Sequence, residues 1–174
     1  YTDQLPLHIF VEEGCNISQG RNRAIAEAQG NIIAVTDAGV KLTDTWLETI
    51  TQPMLDNPDV DVVAGFFQAD PQTLFEVAIG ATTLPIKEEI DPKSFLPSSR
   101  SVAFRKASSD FIGGYPEWLD FCEDLIFDIR LQQTTQPFVF APDALVYFRP
   151  RSSLRKFYEQ YYLYARGDGK ANLW

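Results

Sequence analysis

Apolar and polar positions along this chain mark out a short series of elements. Asn31 to Thr36 is an apolar run with β-branched residues, bounded by Gly30 and Asp37, and reads as a buried strand. Val60 to Phe67 reads as a second buried strand. Between them Trp46, Leu47, Ile50 and Met54 recur at near-helical spacing from about Thr43. Thr45 and Glu48 stand at capping-box spacing, and Pro53 is placed to kink or end that helix. Asn57-Pro58 then marks a turn. Strand, helix and strand in that order make a βαβ unit, so a parallel sheet is expected.

The flanking segments follow the same logic. Leu7–Val11 is a strand candidate, with His8 as an ordinary strand residue. Ser18 is placed to cap a helix running to about Gln29, with Ala24, Ile25 and Ala28 on one apolar side and Gly30 as its stop. Asp70 to Ser99 lacks periodicity apart from a helix over Phe75–Ala81; long irregular stretches in compact domains are often functional loops. Ser101–Arg105 reads as a strand, Ile112–Glu117 as a turn and Phe121–Gln132 as a helix. Phe138–Phe140 and Ala144–Phe148 read as two strands split by Pro142-Asp143. A helix rich in aromatic residues runs from Ser152 to Gly167.

Composition narrows the class. The 174 residues make one domain, and 45% hydrophobic with 13% aromatic content describes a globular fold. A net charge of -9 argues against a nucleic-acid partner. No apolar run is long enough to span a bilayer and no signal-peptide pattern opens the chain, so a cytoplasmic protein is expected. Cys15 and Cys122 are too few for a disulfide framework and lack metal-ligand spacing.

Candidate chemistry gathers at a few positions. Asp37 sits where a strand ends and a helix follows, which is how open α/β sheets build ligand sites, although Asp is also an ordinary turn residue. Arg21 and Asn22 fall in the first turn of their expected helix, where an anion is favoured; equally, Arg21 reads as a solvated surface charge. Glu123 and Asp124 lie at a helix start, where the dipole stabilises negative charge. Arg149, Arg151, Arg155, Lys156, Arg166 and Lys170 cluster in an otherwise acidic chain, which suits a local anion site or an acidic membrane surface.

Three segments taken together resemble the inverting family 2 glycosyltransferases of the GT-A fold. The first is GCNISQGRNRAIAEAQGNIIAVTDAG, similar to the run from an Arg-Asn helix into the strand that ends in Asp-x-Asp. The second is SVAFRKASSDFIGGYPEWLDFCEDLIFDIRL, similar to the acceptor-side segment, with a Gly-Gly-aromatic turn before a Glu-Asp pair. The third is APDALVYFRPRSSLRKFYEQYYLYARGDGKA, similar to the closing strand and aromatic helix. The resemblance implies a single α/β domain over residues 1–174, with a Rossmann-like mixed, mostly parallel sheet flanked by helices. It also implies that the first nucleotide-binding strands and helix are missing.

The resemblance further implies transfer of a sugar from a nucleotide-diphosphate sugar to an acceptor hydroxyl with inversion. Asp124 matches the general base, and Arg21, Asn22 and Asp37 match the donor-binding positions. Gly113, Gly114, Tyr115 and Glu123 match the acceptor side, while Arg149 and Arg151 suit phosphate. Mg²⁺ or Mn²⁺ is the implied cofactor, with Asp37 as its ligand, but Gly39 stands where the second aspartate of Asp-x-Asp is expected. The implied acceptor is a carbohydrate or lipid-linked molecule, with peripheral contact to the inner face of the membrane. The competing reading is a fragment or binding module that holds a sugar or a protein and catalyses nothing. A nucleotidyltransferase would need further metal carboxylates that the sequence does not offer.

Overall fold

The computed structural model describes residues 7–173. In chain order the elements are α1 (Ile17–Glu27), β1 (Ile32–Val35), β2 (Val40–Leu42), α2 (Trp46–Asp56), β3 (Val62–Ala69) and α3 (Leu74–Thr83). A 3-10 turn (Lys87–Glu89) follows, then β4 (Val102–Arg105), α4 (Lys106–Phe111), α5 (Glu123–Thr134), β5 (Val139–Phe148) and α6 (Leu154–Lys170). The five strands form one sheet in the order β1-β4-β3-β5-β2.

Strand periodicity splits the core into two layers. Val62, Val102 and Phe104 face one side, where they pack with Ile25 of α1 and Phe127 and Leu131 of α5. Val63 and Ala103, one residue along, face the other side and meet Trp46, Ile50 and Met54 of α2. Trp46, Ile50 and Met54 of the expected stripe therefore cover the sheet, whereas Leu47, read as part of it, faces solvent.

The sheet is mixed, as expected, but not mostly parallel. Only β3 and β5 pair in parallel; β1–β4, β3–β4 and β2–β5 are antiparallel. β1 and β3 do run the same way and share the sheet, as a βαβ unit requires, but β4 is inserted between them. A strand-helix-strand pattern fixes direction, not adjacency, and β4 arrives from later in the chain.

Other expectations are corrected at the element ends. Leu7–Val11 is not a strand: it lies outside the sheet, with Ile9 and Val11 exposed. Apolar alternation yields a strand only when the backbone finds a partner edge. Asn16, not Ser18, caps α1, through a reciprocal capping box in which the Gln19 amide donates to Asn16 Oδ1 and the Asn16 amide to Gln19 Oε1, both at 2.9 Å. Thr45 makes no side-chain cap, so the capping box read at Thr45 and Glu48 does not form. Pro142-Asp143 does not split β5 but bulges it. Between the Ala64–Phe140 and Phe66–Leu145 pairs, β5 advances five residues while β3 advances two.

That bulge is sealed by Gly65. A Cβ there would fall on Ser101 Oγ and 2.7 Å from the Ala144 carbonyl oxygen. The Ser101 hydroxyl already accepts from Trp46 Nε1 at 2.9 Å and donates to the Ala144 carbonyl at 2.8 Å. Gly65→Ala must displace this buried pair of bonds, at a cost of about 2–4 kcal/mol. Denaturant unfolding should show a lowered midpoint; an unchanged midpoint would mean the bulge opens freely.

Candidate active site

Asp37 follows β1, and only residues 36–39 separate β1 from β2 although the two lie at opposite ends of the strand order. The sheet must curl to allow so short a link, and Asp37 sits at the mouth this creates. Gly39 completes the turn with φ +85, a backbone conformation suited to glycine.

Arg21 ties this mouth together. Its Nη2 donates to Asp37 Oδ1 at 2.6 Å and its Nη1 to Glu123 Oε1 at 2.8 Å. The guanidinium also lies 5.1 Å from the centre of the Tyr115 ring. The three ion-paired side chains are largely buried, with 12% of Arg21, 30% of Asp37 and 10% of Glu123 exposed. Because Asn16 is the cap, Arg21 falls in the second turn of α1 and not the first.

Asp124, next to Glu123, opens α5. The preceding Cys122 adopts φ 69, a left-handed conformation that starts the helix at Glu123 instead of Phe121. Asp124 is half-buried and accepts a hydrogen bond from the Leu125 amide at 2.9 Å; it has no ion-pair partner among the described residues. Behind Cys122 runs α6, which passes through Gly167, where the sequence had suggested an end. A Cβ at Gly167 would lie 2.5 Å from the Phe121 carbonyl oxygen, so glycine serves close approach there and not termination.

Arg21, Asp37, Glu123 and Asp124 line one cleft of about 1020 Å³, together with Arg100, Arg151 and residues of α6. A second cleft of about 410 Å³ adjoins it, sharing Asp37, Arg100, Arg151, Gln160 and Tyr164. Arg149 lines only the second. Asn22, Gly113, Gly114 and Tyr115 line neither cleft. Asn22 Oδ1 accepts the Tyr115 amide at 2.8 Å, and its Nδ2 donates to the Tyr115 carbonyl and to Glu117 Oε1, each at 2.9 Å. Gly113 and Gly114 carry φ +80 and +72, and a Cβ on Gly114 would meet Asn22 Oδ1 at 2.6 Å. These residues clamp the loop before α5 to α1, so they position the cleft from behind.

The carboxylates differ in character. Burial pushes Glu123 above the usual carboxylate range and Asp124 adds to the push, while Arg21 opposes it. Burial, again with Asp124, holds Asp128 well above its ordinary value. Asp128 sits one turn beyond Asp124 on α5, and its buried Oδ2 has no hydrogen-bond partner. Nothing in the sequence singled out Asp128, because acidic residues at helical spacing usually face water. Burial also pushes the Cys122 thiol up to about 12, helped by a hydrogen bond with Asp168, so it stays protonated.

Asp128 yields a pH prediction. A native pKa above the unfolded one means the folded chain holds its proton longer, so this group destabilises increasingly as pH rises from the ordinary carboxylate value. Asparagine does not titrate. The melting temperature of Asp128→Asn relative to the parent should therefore climb from acid toward neutral pH. A difference that shrinks over that range would show that Asp128 is ionised and satisfied.

A metal has little of its own to bind here. Among the described residues no group of three or more His, Cys, Asp and Glu side chains converges on one point. Asp37 is the carboxylate at the strand end, with Oδ1 already taken by Arg21 and Oδ2 4.0 Å from Arg100. No helix among the described residues is long and apolar enough to cross a membrane.

No curated protein sequence matches the chain. Among solved structures, Staphylococcus aureus (S. aureus) TarS matches with a TM-score of 0.63 at 20% identity, covering 91% of this chain and 29% of that one. The mannosyltransferase PcManGT from Pyrobaculum calidifontis, solved with GDP-Man and Mn²⁺, matches with a TM-score of 0.60 at 17% identity, covering 84% and 39%. GalNAc-T7, solved with UDP, GalNAc and Mn²⁺, matches with a TM-score of 0.57 at 11% identity, covering 78% and 31%. The chain thus spans well under half the length of each, and the likeness shows a shared GT-A-like fold. The family model for Glycosyl transferase family 2 matches residues 3–107, more than half of the chain, and includes Arg21 and Asp37. By that match, which runs from α1 through β4 and includes the mouth at Asp37, the chain belongs to glycosyl transferase family 2.

Proposed function

We propose that this chain transfers a sugar from a nucleotide-diphosphate sugar to an acceptor hydroxyl with inversion, with Asp124 as the general base. The observation that carries this reading is the shared cleft. Asp124, without an ion-pair partner among the described residues, opens onto the cleft that Asp37 enters from the strand end. The two walls are joined by Arg21.

The chemistry needs a base on the acceptor side. As the acceptor oxygen attacks the anomeric carbon, the new C–O bond forms and the bond to the diphosphate breaks with its electron pair. The acceptor proton passes to Asp124. Glu123 is held by Arg21 and supports the mouth, so the proton goes to its neighbour. Arg151, which lines the same cleft, supplies positive charge toward the leaving diphosphate. The donor class is supported by the nucleotides and sugars bound in the mannosyltransferase and GalNAc-T7 structures. The acceptor class proposed is a carbohydrate or lipid-linked hydroxyl.

Asp37 fits a divalent ion only together with the donor. It would hold Mg²⁺ or Mn²⁺ with one carboxylate oxygen while the diphosphate supplies further ligands, and the ion would neutralise charge on that diphosphate. Mn²⁺ should therefore give no calorimetric signal with the protein alone and a clear one once a nucleoside diphosphate is present. Tight Mn²⁺ binding to the free protein would contradict this arrangement.

A binding module that holds the donor without turning it over is the second reading, favoured by Gly39 and by the engagement of Asp37 with Arg21. Incubating the full-length protein with a panel of nucleotide-diphosphate sugars and following release of nucleoside diphosphate separates the two. Release is expected for transfer or slow hydrolysis. Donor binding with no release over long incubation would favour the binding module.

A further inference from the structure

A surface helix normally turns its polar side chains outward, and α3 does the reverse. From Leu74 to Ile86 the chain reads LFEVAIGATTLPI, whose one charged residue is Glu76. Glu76 is fully buried, and its Oε1 accepts from Arg149 Nε at 2.9 Å. Leu74, Val77, Ala78 and Ala81 recur at helical spacing on the other side of α3, and all four are exposed, Leu74 by 89%. Thr82 is exposed as well, but its hydroxyl donates back to the Ala78 carbonyl at 2.9 Å. The outward face of α3 thus offers neither a charge nor a free side-chain donor.

α6 continues this surface with a different chemistry. Leu154, Tyr158 and Tyr162 stand one turn apart on its exposed side, and the rings of the two tyrosines stack with centres 6.4 Å apart. Its inward side, with Gln160 and Tyr164, lines the second cleft, which Ile79 and Thr83 of α3 also line. The exposed faces of the two helices therefore adjoin at one rim. Over Leu154–Lys170 there are four basic residues against two acidic ones, an excess of positive charge in a chain of net charge -9. Arg155, beside the tyrosines, is 88% exposed.

We propose that the exposed faces of α3 and α6 dock this domain on an anionic lipid bilayer. The uncharged face of α3 enters the boundary between headgroups and acyl chains, and the α6 tyrosines sit at headgroup level, with an apolar ring and a polar tip. The basic side chains of α6 then meet the lipid phosphates. A second copy of the chain fits this face less well. Protein interfaces carry a polar rim and about one hydrogen bond per 100–200 Å², and the face of α3 has no side-chain group left to make one. The docking surface does not depend on the donor chemistry proposed above.

The test is co-sedimentation of the full-length protein with two kinds of vesicle, phosphatidylcholine alone and phosphatidylcholine mixed with phosphatidylglycerol. The protein should bind the mixed vesicles, more weakly as NaCl is raised, and bind the neutral ones far less. Leu74→Ser/Val77→Ser, at positions already exposed, should melt like the parent and bind the mixed vesicles about tenfold more weakly. Tyr158→Ser/Tyr162→Ser is an independent variant on the second helix and should show a loss of similar size. Absence of binding to mixed vesicles, equal binding to both kinds, or parent-like affinity in both variants would overturn the proposal. So would sedimentation velocity showing a dimer that Leu74→Ser/Val77→Ser turns into a monomer, which would give this face to a second copy. Nucleoside diphosphate release, measured without vesicles, should be the same in both variants as in the parent.

Discussion

Asp124→Asn should fold like the parent, bind donor like the parent, and transfer sugar about a hundred- to ten-thousand-fold more slowly. The substitution keeps the shape and can keep the bond from the Leu125 amide, through the amide oxygen. What it removes is the ability to take a proton from the acceptor. Glu123→Gln is the matched control, because the two residues are adjacent but differently employed. Glu123 is buried against Arg21, whereas Asp124 is half-buried on the cleft. Asparagine at 124 should therefore act on rate, while glutamine at 123 should act mainly on stability and keep the rate within about tenfold. Both are measured as initial rates at saturating donor alongside thermal melts. Parent-like transfer by Asp124→Asn, or equal losses in the two variants, would remove Asp124 from the mechanism.

The parts of the site that were legible in the sequence are those where chemistry and local pattern coincide. Asp37 could be placed because β1 is a short apolar run with a sharp end. Glu123 and Asp124 could be placed because an apolar stripe follows them. The resemblance put Arg21 and Asp37 together on the donor side, but the link from Arg21 to Glu123 could not be read, since it depends on how α1 and α5 pack over the same face of the sheet. β2 was invisible for a similar reason: three residues with a half-exposed pattern become a strand only because β5 offers an edge. α4 follows β4 directly, without a cap or a periodic stripe to announce it. Leu7–Val11 shows the reverse failure, with pattern present and partner edge absent. Gly167 shows that glycine near a helix end has two meanings, termination and close packing, which only the neighbouring Phe121 backbone separates.

Arg21→Met should lose both stability and donor binding, and the two losses should be separable. Methionine keeps the length of the apolar stem and removes the guanidinium. Asp37 would then keep only Arg100, 4.0 Å away, and Glu123 would face Asp37 across a largely buried space with no partner of its own. Stripping one partner from buried ion pairs of this kind costs about 3–5 kcal/mol, because the remaining charge keeps its desolvation penalty. Adding Glu123→Gln removes the more buried of the two carboxylates and should restore much of the stability. Donor binding should not return, since the positive group beside Asp37 is still missing. The pH dependence gives a further check. Without Arg21, one of the groups that oppose the burial is lost, so the native Glu123 pKa rises further above the unfolded one. The stability deficit of Arg21→Met should therefore be small at acid pH, where Glu123 is protonated in both folded proteins, and widen as pH rises past the parent's already raised native value toward the variant's higher one. A pH-independent deficit would assign the loss to packing against Tyr115 instead, and unchanged donor affinity would make Arg21 a structural strut.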